Sequence, residues 1–253
     1  MSWKYERSKK TYTPGFPYAI SRSKIDLFVD CPLCFYLDVR LGVKRPSGPQ
    51  FTLNLAVDIL LKKEFDLHRA RATPHPLMEE FDIDAVPFKH PSMDEWRENF
   101  KGIRYNDPQT GLTIFGAIDD AWVTPAGEVL VVDYKATSKD SVVDALENTK
   151  WHDQYRRQME IYQWLLRRND LRVSNTGYFV YANGKRSAET FDGHLEFDMN
   201  VIPYEGSDGW IPETLTKLKQ CLDSDTAPQP NSECEHCLYR KLARDVQLEA
   251  REK

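Results

Sequence analysis

Two C-x-x-C pairs lie near opposite ends of the chain, Cys31-Pro-Leu-Cys34 and Cys234-Glu-His-Cys237. Such a pair chelates one metal, and four thiolates suit either a tetrahedral Zn²⁺ ion or an iron–sulfur cluster. A metal shared by both pairs would close almost the whole chain into one loop, which stabilises a fold strongly. We therefore predict that the N-terminal and C-terminal segments meet at a cysteine metal site. Cys221 has no partner in this pattern and is predicted to be a core thiol.

Composition narrows the class of protein. Hydrophobic residues make up 41% of the 253 residues, which is enough for a sizeable core and excludes a wholly disordered chain. We find no apolar run of membrane-spanning length and no start of signal-peptide type, so we expect a cytoplasmic protein without a membrane partner. The net charge of −5 argues against binding nucleic acid by bulk charge, but it leaves room for a local basic groove.

Hydrophobic periodicity predicts helices first, then a hairpin, a long helix, two more strands and a last helix, which together make an α/β sandwich. The predicted elements are a helix from Ser23 to about Cys31, a helix containing Leu53–Phe65, an irregular stretch at Pro74–Pro91, strands at Leu112–Thr124 and Val129–Ala136, a helix at Lys150–Arg168, strands at Gly177–Tyr181 and Glu189–Asp198, and a helix at Glu213–Leu222.

The strand Val131–Lys135 carries the most informative polar residues. Side chains alternate along a strand, so Asp133 and Lys135 share one face while Tyr134 points to the other. The turn at Pro125–Gly127 brings Asp119 or Asp120 of the preceding strand towards Asp133. Two carboxylates in a half-buried cleft repel each other unless a cation binds between them, which predicts a Mg²⁺ or Mn²⁺ site. Lys135 would then orient a water or stabilise negative charge on a phosphate.

The motifs resemble a known family when they are taken in order. They are Gly116-x-x-Asp119, Asp133-Tyr134-Lys135, Gln158-x-x-x-Tyr162, the opening SRSKIDLFVDCPLCFYL and the closing cysteines. This set is similar to the PD-(D/E)xK nuclease superfamily, in its RecB-like branch that includes the CRISPR-associated RecB-like exonucleases. The resemblance spans about residues 21–240 and implies a restriction-endonuclease-like core, with a central mixed sheet flanked by helices.

The resemblance also implies roles for individual residues. Asp119 and Asp133 would bind the active-site metal together with the backbone carbonyl of Tyr134, and Lys135 would be the catalytic lysine. Gln158 and Tyr162, which share one face of a helix, would position DNA beside the site. Two further aromatic residues of that helical stripe, Trp151 and Tyr155, are predicted to be core residues instead.

The chain departs from the family pattern in the helix before the sheet. Where many members have Gly-x-x-x-His, this chain has Asn54 and Asp58. Asp58 could bind a hard cation in place of the histidine, or it could be a solvated helical acid. Glu64 is a second candidate for the acidic role, whereas His68 is predicted to be a surface residue.

The cysteine pattern also departs from that of the family. The related exonucleases usually hold a cluster with one N-terminal and three C-terminal cysteines, but Ala243 stands where the last one would fall. Cys34 could supply the missing ligand. The resemblance therefore implies a [4Fe–4S] cluster at Cys31, Cys34, Cys234 and Cys237, with Zn²⁺ as the alternative.

These observations predict a metal-dependent DNA nuclease, in particular an exonuclease on single-stranded DNA or DNA ends, in DNA repair, recombination or CRISPR-type processing. A helicase or recombination or CRISPR proteins would be its partners. The alternative is a non-catalytic subunit that binds DNA ends or a partner, and an RNA-processing nuclease is chemically indistinguishable. We expect a basic arm at residues 1–20, a nuclease domain at 21–240 with cysteine segments at 21–50 and 225–245, and a tail at 241–253. Phosphate contacts are expected from the arm and from Arg156, Arg157, Arg167 and Arg168.

Overall fold

The structure is a computed structural model that describes residues 6–48 and 51–251. The first residues of the basic arm, residues 49–50 of the first cysteine segment and the last two residues of the tail lie outside this description. No helix among the described residues combines the length and the apolar composition needed to cross a membrane.

Helices and strands follow one another in the order expected of an α/β chain. They are β1 (Tyr18–Ser21), α1 (Arg22–Asp30), α2 (Pro32–Val39), α3 (Thr52–Arg71), α4 (Pro76–Glu80), β2 (Val86–Pro87), α5 (Met93–Trp96), β3 (Ile103–Asn106), β4 (Leu112–Gly116), β5 (Asp120–Val123), β6 (Val129–Thr137), α6 (Lys150–Arg167), β7 (Thr176–Gly184), β8 (Phe197–Glu205), α7 (Ile211–Asp223) and α8 (Glu235–Arg251).

A five-stranded mixed sheet forms the centre of the fold, with the order β2-β5-β6-β7-β8. Strand β6 runs antiparallel to β5 and parallel to β7, because helix α6 carries the chain back between β6 and β7. A second sheet has the order β1-β4-β3. The expected mixed α/β class, with helices flanking a central mixed sheet, is confirmed.

Two compact units share the chain. Among the described residues, the larger unit contains residues 51–105 and 115–209, and therefore holds the five-stranded sheet with α3 and α6. Phe65 of α3 packs with Trp122 and Tyr134 on one face of this sheet. On the other face, Gly177 of β7 lies so close to Met159 of α6 that a Cβ would clash. Tight packing on both faces fixes the polar residues at the start of β5 and within β6.

Among the described residues, the smaller unit contains residues 6–48, 106–114 and 210–251. Helices α1 and α2 pack against α7 in this unit. The Tyr36 hydroxyl donates a hydrogen bond to the carbonyl of Ser224, so the two terminal segments are joined beyond the cysteines themselves.

Several sequence predictions of local structure are wrong. Leu112–Thr124 is not one strand, because Ala117–Asp119 separates β4 from β5. The strand expected at Glu189–Asp198 begins only at Phe197. The stretch Pro74–Pro91, expected to be irregular, contains the short helix α4 and the short strand β2. The apolar stripe expected along α3 is buried only from Leu61 onward, whereas Leu53 and Leu60 are exposed.

Candidate active site and cysteine metal centre

Asp119 and Asp133 meet where the start of β5 lies beside the middle of β6. The antiparallel register pairs Asp120 with Val132, so Asp119, one residue before β5, lies at the level of Asp133. Its Oδ2 accepts a hydrogen bond from the backbone N–H of Tyr134 at 3.0 Å. Of the two candidate aspartates, Asp119 is therefore the one that lies beside Asp133.

A hydrogen-bonded network surrounds the Asp133 carboxylate, which is completely buried. Its Oδ2 forms an ion pair with the Lys135 ammonium, and its Oδ1 accepts a hydrogen bond from Gln158 Nε2 at 2.7 Å. Lys135 Nζ also donates to Gln158 Oε1, at 3.3 Å. Gln158 Nε2 lies 3.3 Å from the Tyr162 hydroxyl. The structure thus brings Asp133, Lys135, Gln158 and Tyr162 together on the α6 face of the sheet.

Helix α3 contributes Asp58 and Lys62 to the surroundings of Asp119. Lys62 Nζ is 2.9 Å from Asp58 Oδ2 and 3.4 Å from Asp119 Oδ1, so it links the two carboxylates. Sequence reasoning missed Lys62, although its i,i+4 spacing from Asp58 is an ion-pair signal. Glu64 lies elsewhere, because its carboxylate pairs with His75 at 3.0 Å.

Burial and mutual repulsion shift the pKa values of these groups. Burial raises the pKa of Asp133, and Asp119 raises it further, against the opposing effect of Lys135. Burial and the Asp119 charge likewise raise the pKa of Asp58. Burial alone would lower the pKa of Lys62, but Asp119 and Asp58 outweigh it and raise the value. The negative charges of these carboxylates repel one another, and a bound cation would reduce that repulsion.

Replacing Lys62 with methionine is expected to increase the affinity of the site for Mn²⁺ by about tenfold, roughly 1.4 kcal/mol, because a competing positive charge is removed. Calorimetric titration of the protein without DNA measures this change. Lys63→Met is the matched control, since Lys63 is the exposed neighbour on the same helix. Unchanged or weaker Mn²⁺ binding in Lys62→Met would contradict a metal site between Asp58 and Asp119.

Asp120 belongs to a separate network on the opposite face of the sheet. Its carboxylate is fully buried and forms ion pairs with Arg69 and Arg97. The Tyr134 hydroxyl donates to Asp120 Oδ2 at 2.6 Å. The Tyr134 side chain therefore packs in the core, and only its backbone borders the acidic site.

Two sequence predictions about helix α6 are wrong. Trp151, expected in the core, is 70% exposed. Tyr155 contacts the site directly, because the Lys135 ammonium lies 4.2 Å from the centre of its ring. Neither position could be recognised from the helical stripe, since one face of α6 passes from the core to the open site along its length.

The arginines of helix α6 are engaged within the protein. Arg156 pairs with Asp153 at 2.7 Å and also donates to backbone carbonyls. Arg167 pairs with Asp208 at 2.6 Å. Arg168 lies over the rings of Tyr105 and Trp164. These contacts stabilise the larger unit, and the phosphate contacts expected of Arg156, Arg157, Arg167 and Arg168 stay a prediction.

The four cysteines Cys31, Cys34, Cys234 and Cys237 converge in the smaller unit. All four are buried, and their Sγ atoms all lie within 4.8 Å of one another. The Sγ of Cys34 lies 3.6 Å from that of Cys234 and 3.5 Å from that of Cys237, and the Cys31–Cys237 distance is 3.8 Å. Arg45 donates a hydrogen bond to the Cys234 sulfur at 3.3 Å. The quartet could bind a metal ion.

A family model described as the PD-(D/E)XK nuclease superfamily matches residues 53–242, which is more than half of the chain. The chain belongs to the PD-(D/E)XK nuclease superfamily. The superfamily name describes a proline–aspartate pair followed further along the chain by an acid-x-lysine motif. Asp119 and Asp133-Tyr134-Lys135 follow this pattern, except that Ile118 stands where the name has proline. A search of curated proteins finds no match to the chain.

PD-(D/E)XK nucleases use divalent metal ions, and the acidic site offers suitable ligands. Carboxylate oxygens are the donors that Mg²⁺ and Mn²⁺ prefer. Asp133 Oδ2 is buried and contacts the Lys135 ammonium, whose positive charge offsets part of the charge of the carboxylate. The donor set therefore fits a hard cation. Within the described chain, however, the cysteines are the one group of three or more potential ligands already drawn together.

Proposed function

We propose that the protein is a divalent-metal-dependent DNA nuclease that hydrolyses phosphodiester bonds at Asp119, Asp133 and Lys135. The observation that carries this proposal is the buried network of Asp133, Lys135 and Gln158 beside Asp119. A protein that only binds a phosphate backbone has no need for clustered carboxylates facing it, because they repel phosphate.

Each residue of the site would have a different role in the reaction. Asp119 and Asp133 would hold Mg²⁺ or Mn²⁺, with Asp58 and the Tyr134 carbonyl as further ligands, and the bound metal would supply Lewis acidity. Lys135 would stabilise the negative charge that develops on the phosphate. Gln158 keeps Lys135 and Asp133 in a fixed geometry through two hydrogen bonds, while Tyr162 supports Gln158.

Incubation with end-labelled DNA tests this function. We expect cleavage of single-stranded DNA or DNA ends with Mg²⁺ or Mn²⁺ and none with EDTA. Products that shorten progressively from one end indicate an exonuclease. Cation-independent binding of DNA ends without cleavage would instead support the alternative of a non-catalytic subunit.

An exposed aromatic residue favours single-stranded DNA as the substrate. Trp151 lies one helical turn before Tyr155, whose ring contacts Lys135, and so it occupies the same side of α6. Its side chain is 70% exposed, and bases of a single strand stack on exposed aromatic rings. Paired bases in a duplex do not offer their faces in this way.

Replacing Trp151 with alanine is expected to weaken binding of single-stranded DNA by roughly 5- to 150-fold, because stacking contributes about 1–3 kcal/mol per base. Fluorescence anisotropy with a labelled oligonucleotide and Ca²⁺ measures the change. Phe191→Ala is the matched control, since Phe191 is 72% exposed but lies outside the site. An unchanged affinity, or an equal loss on blunt duplex DNA, would argue against stacking by Trp151.

We place the protein in the RecB-like branch because its motifs follow that branch's order from SRSKIDLFVDCPLCFYL to the closing cysteines. The corresponding setting is DNA repair, recombination or CRISPR-type processing in the cytoplasm, with a helicase or recombination proteins as partners. The family match itself begins at residue 53, after Cys31 and Cys34.

The spacing of the cysteine sulfurs favours Zn²⁺ over an iron–sulfur cluster. Four sulfurs at about 2.3 Å from one tetrahedral zinc ion are about 3.8 Å apart. Three Sγ distances, of 3.5, 3.6 and 3.8 Å, are close to this value, and all four sulfurs lie within 4.8 Å of one another. In a [4Fe–4S] cluster each cysteine binds a different iron at the corner of a cube, so its sulfurs must stand farther apart.

Metal analysis and an absorption spectrum distinguish the two metals. Protein purified without oxygen is expected to be colourless and to contain one zinc ion per chain. A brown protein that contains about four irons would overturn the zinc assignment, while the nuclease proposal would stand.

A further inference from the structure

A small cavity lies beside the proposed active site, on the same face of the sheet as Lys135. Tyr181 of β7 is the parallel register partner of Lys135, so the two residues are immediate neighbours on adjacent strands. Tyr181 lines the cavity, which has a volume of about 210 Å³. Val142 and Val143, from the segment between β6 and α6, form part of its wall.

The Tyr181 hydroxyl is a buried polar group without a partner. The residue is 4% exposed, and its hydroxyl makes no hydrogen bond to any described residue. Buried polar groups in folded proteins are almost always hydrogen-bonded, so such an exception calls for an explanation. Burial raises the pKa of Tyr181, with further contributions from Tyr155 and Asp133, so the hydroxyl stays neutral and can donate a hydrogen bond.

The other polar side chains around the cavity already have partners. Asn183 exchanges two hydrogen bonds with the backbone of Lys139. Asn200 donates to the Val143 carbonyl at 2.7 Å and accepts from the N–H of Val201 at 2.9 Å. Asp198, which also lines the cavity, pairs with Lys185 at 3.0 Å. The cavity therefore combines apolar side chains and satisfied polar ones with one unsatisfied hydroxyl, a composition that suits a partly polar ligand.

We propose that this cavity receives one nucleobase of the substrate, next to the phosphate that is cleaved, and that the Tyr181 hydroxyl hydrogen-bonds to the edge of that base. This inference rests on the proposed nuclease function. The volume is below the roughly 300 Å³ typical of sites for drug-sized ligands, so it suits one ring system and not a stretch of chain. Tyr181 is thus a positioning residue that fixes the substrate relative to Lys135.

The substitution Tyr181→Phe removes only the hydroxyl and so isolates its role. We expect kcat/KM for single-stranded DNA to fall about tenfold, the effect of one hydrogen bond to substrate. The melting temperature is expected to stay unchanged or to rise, because the lost hydroxyl has no partner in the free protein. A purely structural role would lower it. Tyr178→Phe, on the same strand but facing the other layer, should leave both quantities unchanged.

An abasic nucleotide placed in turn at each position of the oligonucleotide identifies the contacted base. At one position beside the cleaved bond, the abasic nucleotide should slow cleavage by the wild-type protein but should not slow cleavage by Tyr181→Phe protein any further. Equal activity of Tyr181→Phe and wild type, or additive effects at every position, would overturn the subsite while leaving the nuclease function intact. An inactive wild-type protein would overturn both.

Discussion

The Asp133→Asn protein is expected to cleave DNA about 10³-fold more slowly than the wild-type protein at saturating Mn²⁺. Asp133 is the fully buried acid of the site and the partner of both Lys135 and Gln158. Loss of a metal-binding carboxylate removes several kcal/mol of charge stabilisation, and about 4 kcal/mol corresponds to a 10³-fold change in rate. Single-turnover cleavage of a labelled oligonucleotide measures the rate.

The same variant should bind Mn²⁺ at least about tenfold more weakly, since an amide oxygen is a poorer ligand than a carboxylate for a hard cation. Asp153→Asn is the matched control, because it makes the same change on α6 at a carboxylate whose side chain is 54% exposed. Asp133→Asn protein that cleaves DNA within threefold of the control would exclude Asp133 as a metal ligand in catalysis.

Replacing Cys237 with serine is expected to abolish stable metal binding at the cysteine site and to lower the melting temperature of the smaller unit. The Cys237 sulfur lies 3.5 Å from that of Cys34 and 3.8 Å from that of Cys31, so it links the C-terminal helix to the N-terminal segment. Structural zinc contributes about 10–16 kcal/mol in small domains. Losing even about 5 kcal/mol of it shifts the melting temperature of a domain of about 100 residues by roughly 20–40 °C.

Calorimetry and metal analysis of the same samples test this expectation. Cys221→Ser is the control, because Cys221 lies on α7 outside the quartet and should leave the metal content unchanged. Full metal content and an unaltered melting temperature in Cys237→Ser would mean that the quartet is four buried thiols and not a metal centre.

The sequence predicts the strand residues of the candidate site because strand geometry is simple. Alternation of side chains places Asp133 and Lys135 on one face, and a short turn sets the register that brings Asp119 beside them. The cysteine quartet follows from spacing alone, since C-x-x-C pairs chelate. In these cases a local rule determines a contact between distant residues.

Other features depend on packing that a local pattern does not contain. The strand β8 begins at Phe197 and not near Glu189, because its register is set by β7. Leu53 and Leu60 repeat like core residues but are exposed, although Val57 and Leu61 on the same helix pack against the core. The roles of Lys62 and Tyr181 appear only when α3 and β7 lie beside the acids.

The most direct test of the proposed site compares the single-turnover cleavage rates of wild-type and Lys135→Ala protein at saturating Mn²⁺. Lys135 shares one strand face with Asp133, contacts both Asp133 and Gln158, and is the residue proposed to stabilise charge on the reacting phosphate. We expect metal-dependent cleavage by the wild-type protein and a rate about 10³-fold lower for Lys135→Ala. Equal rates for the two proteins would contradict the proposed mechanism.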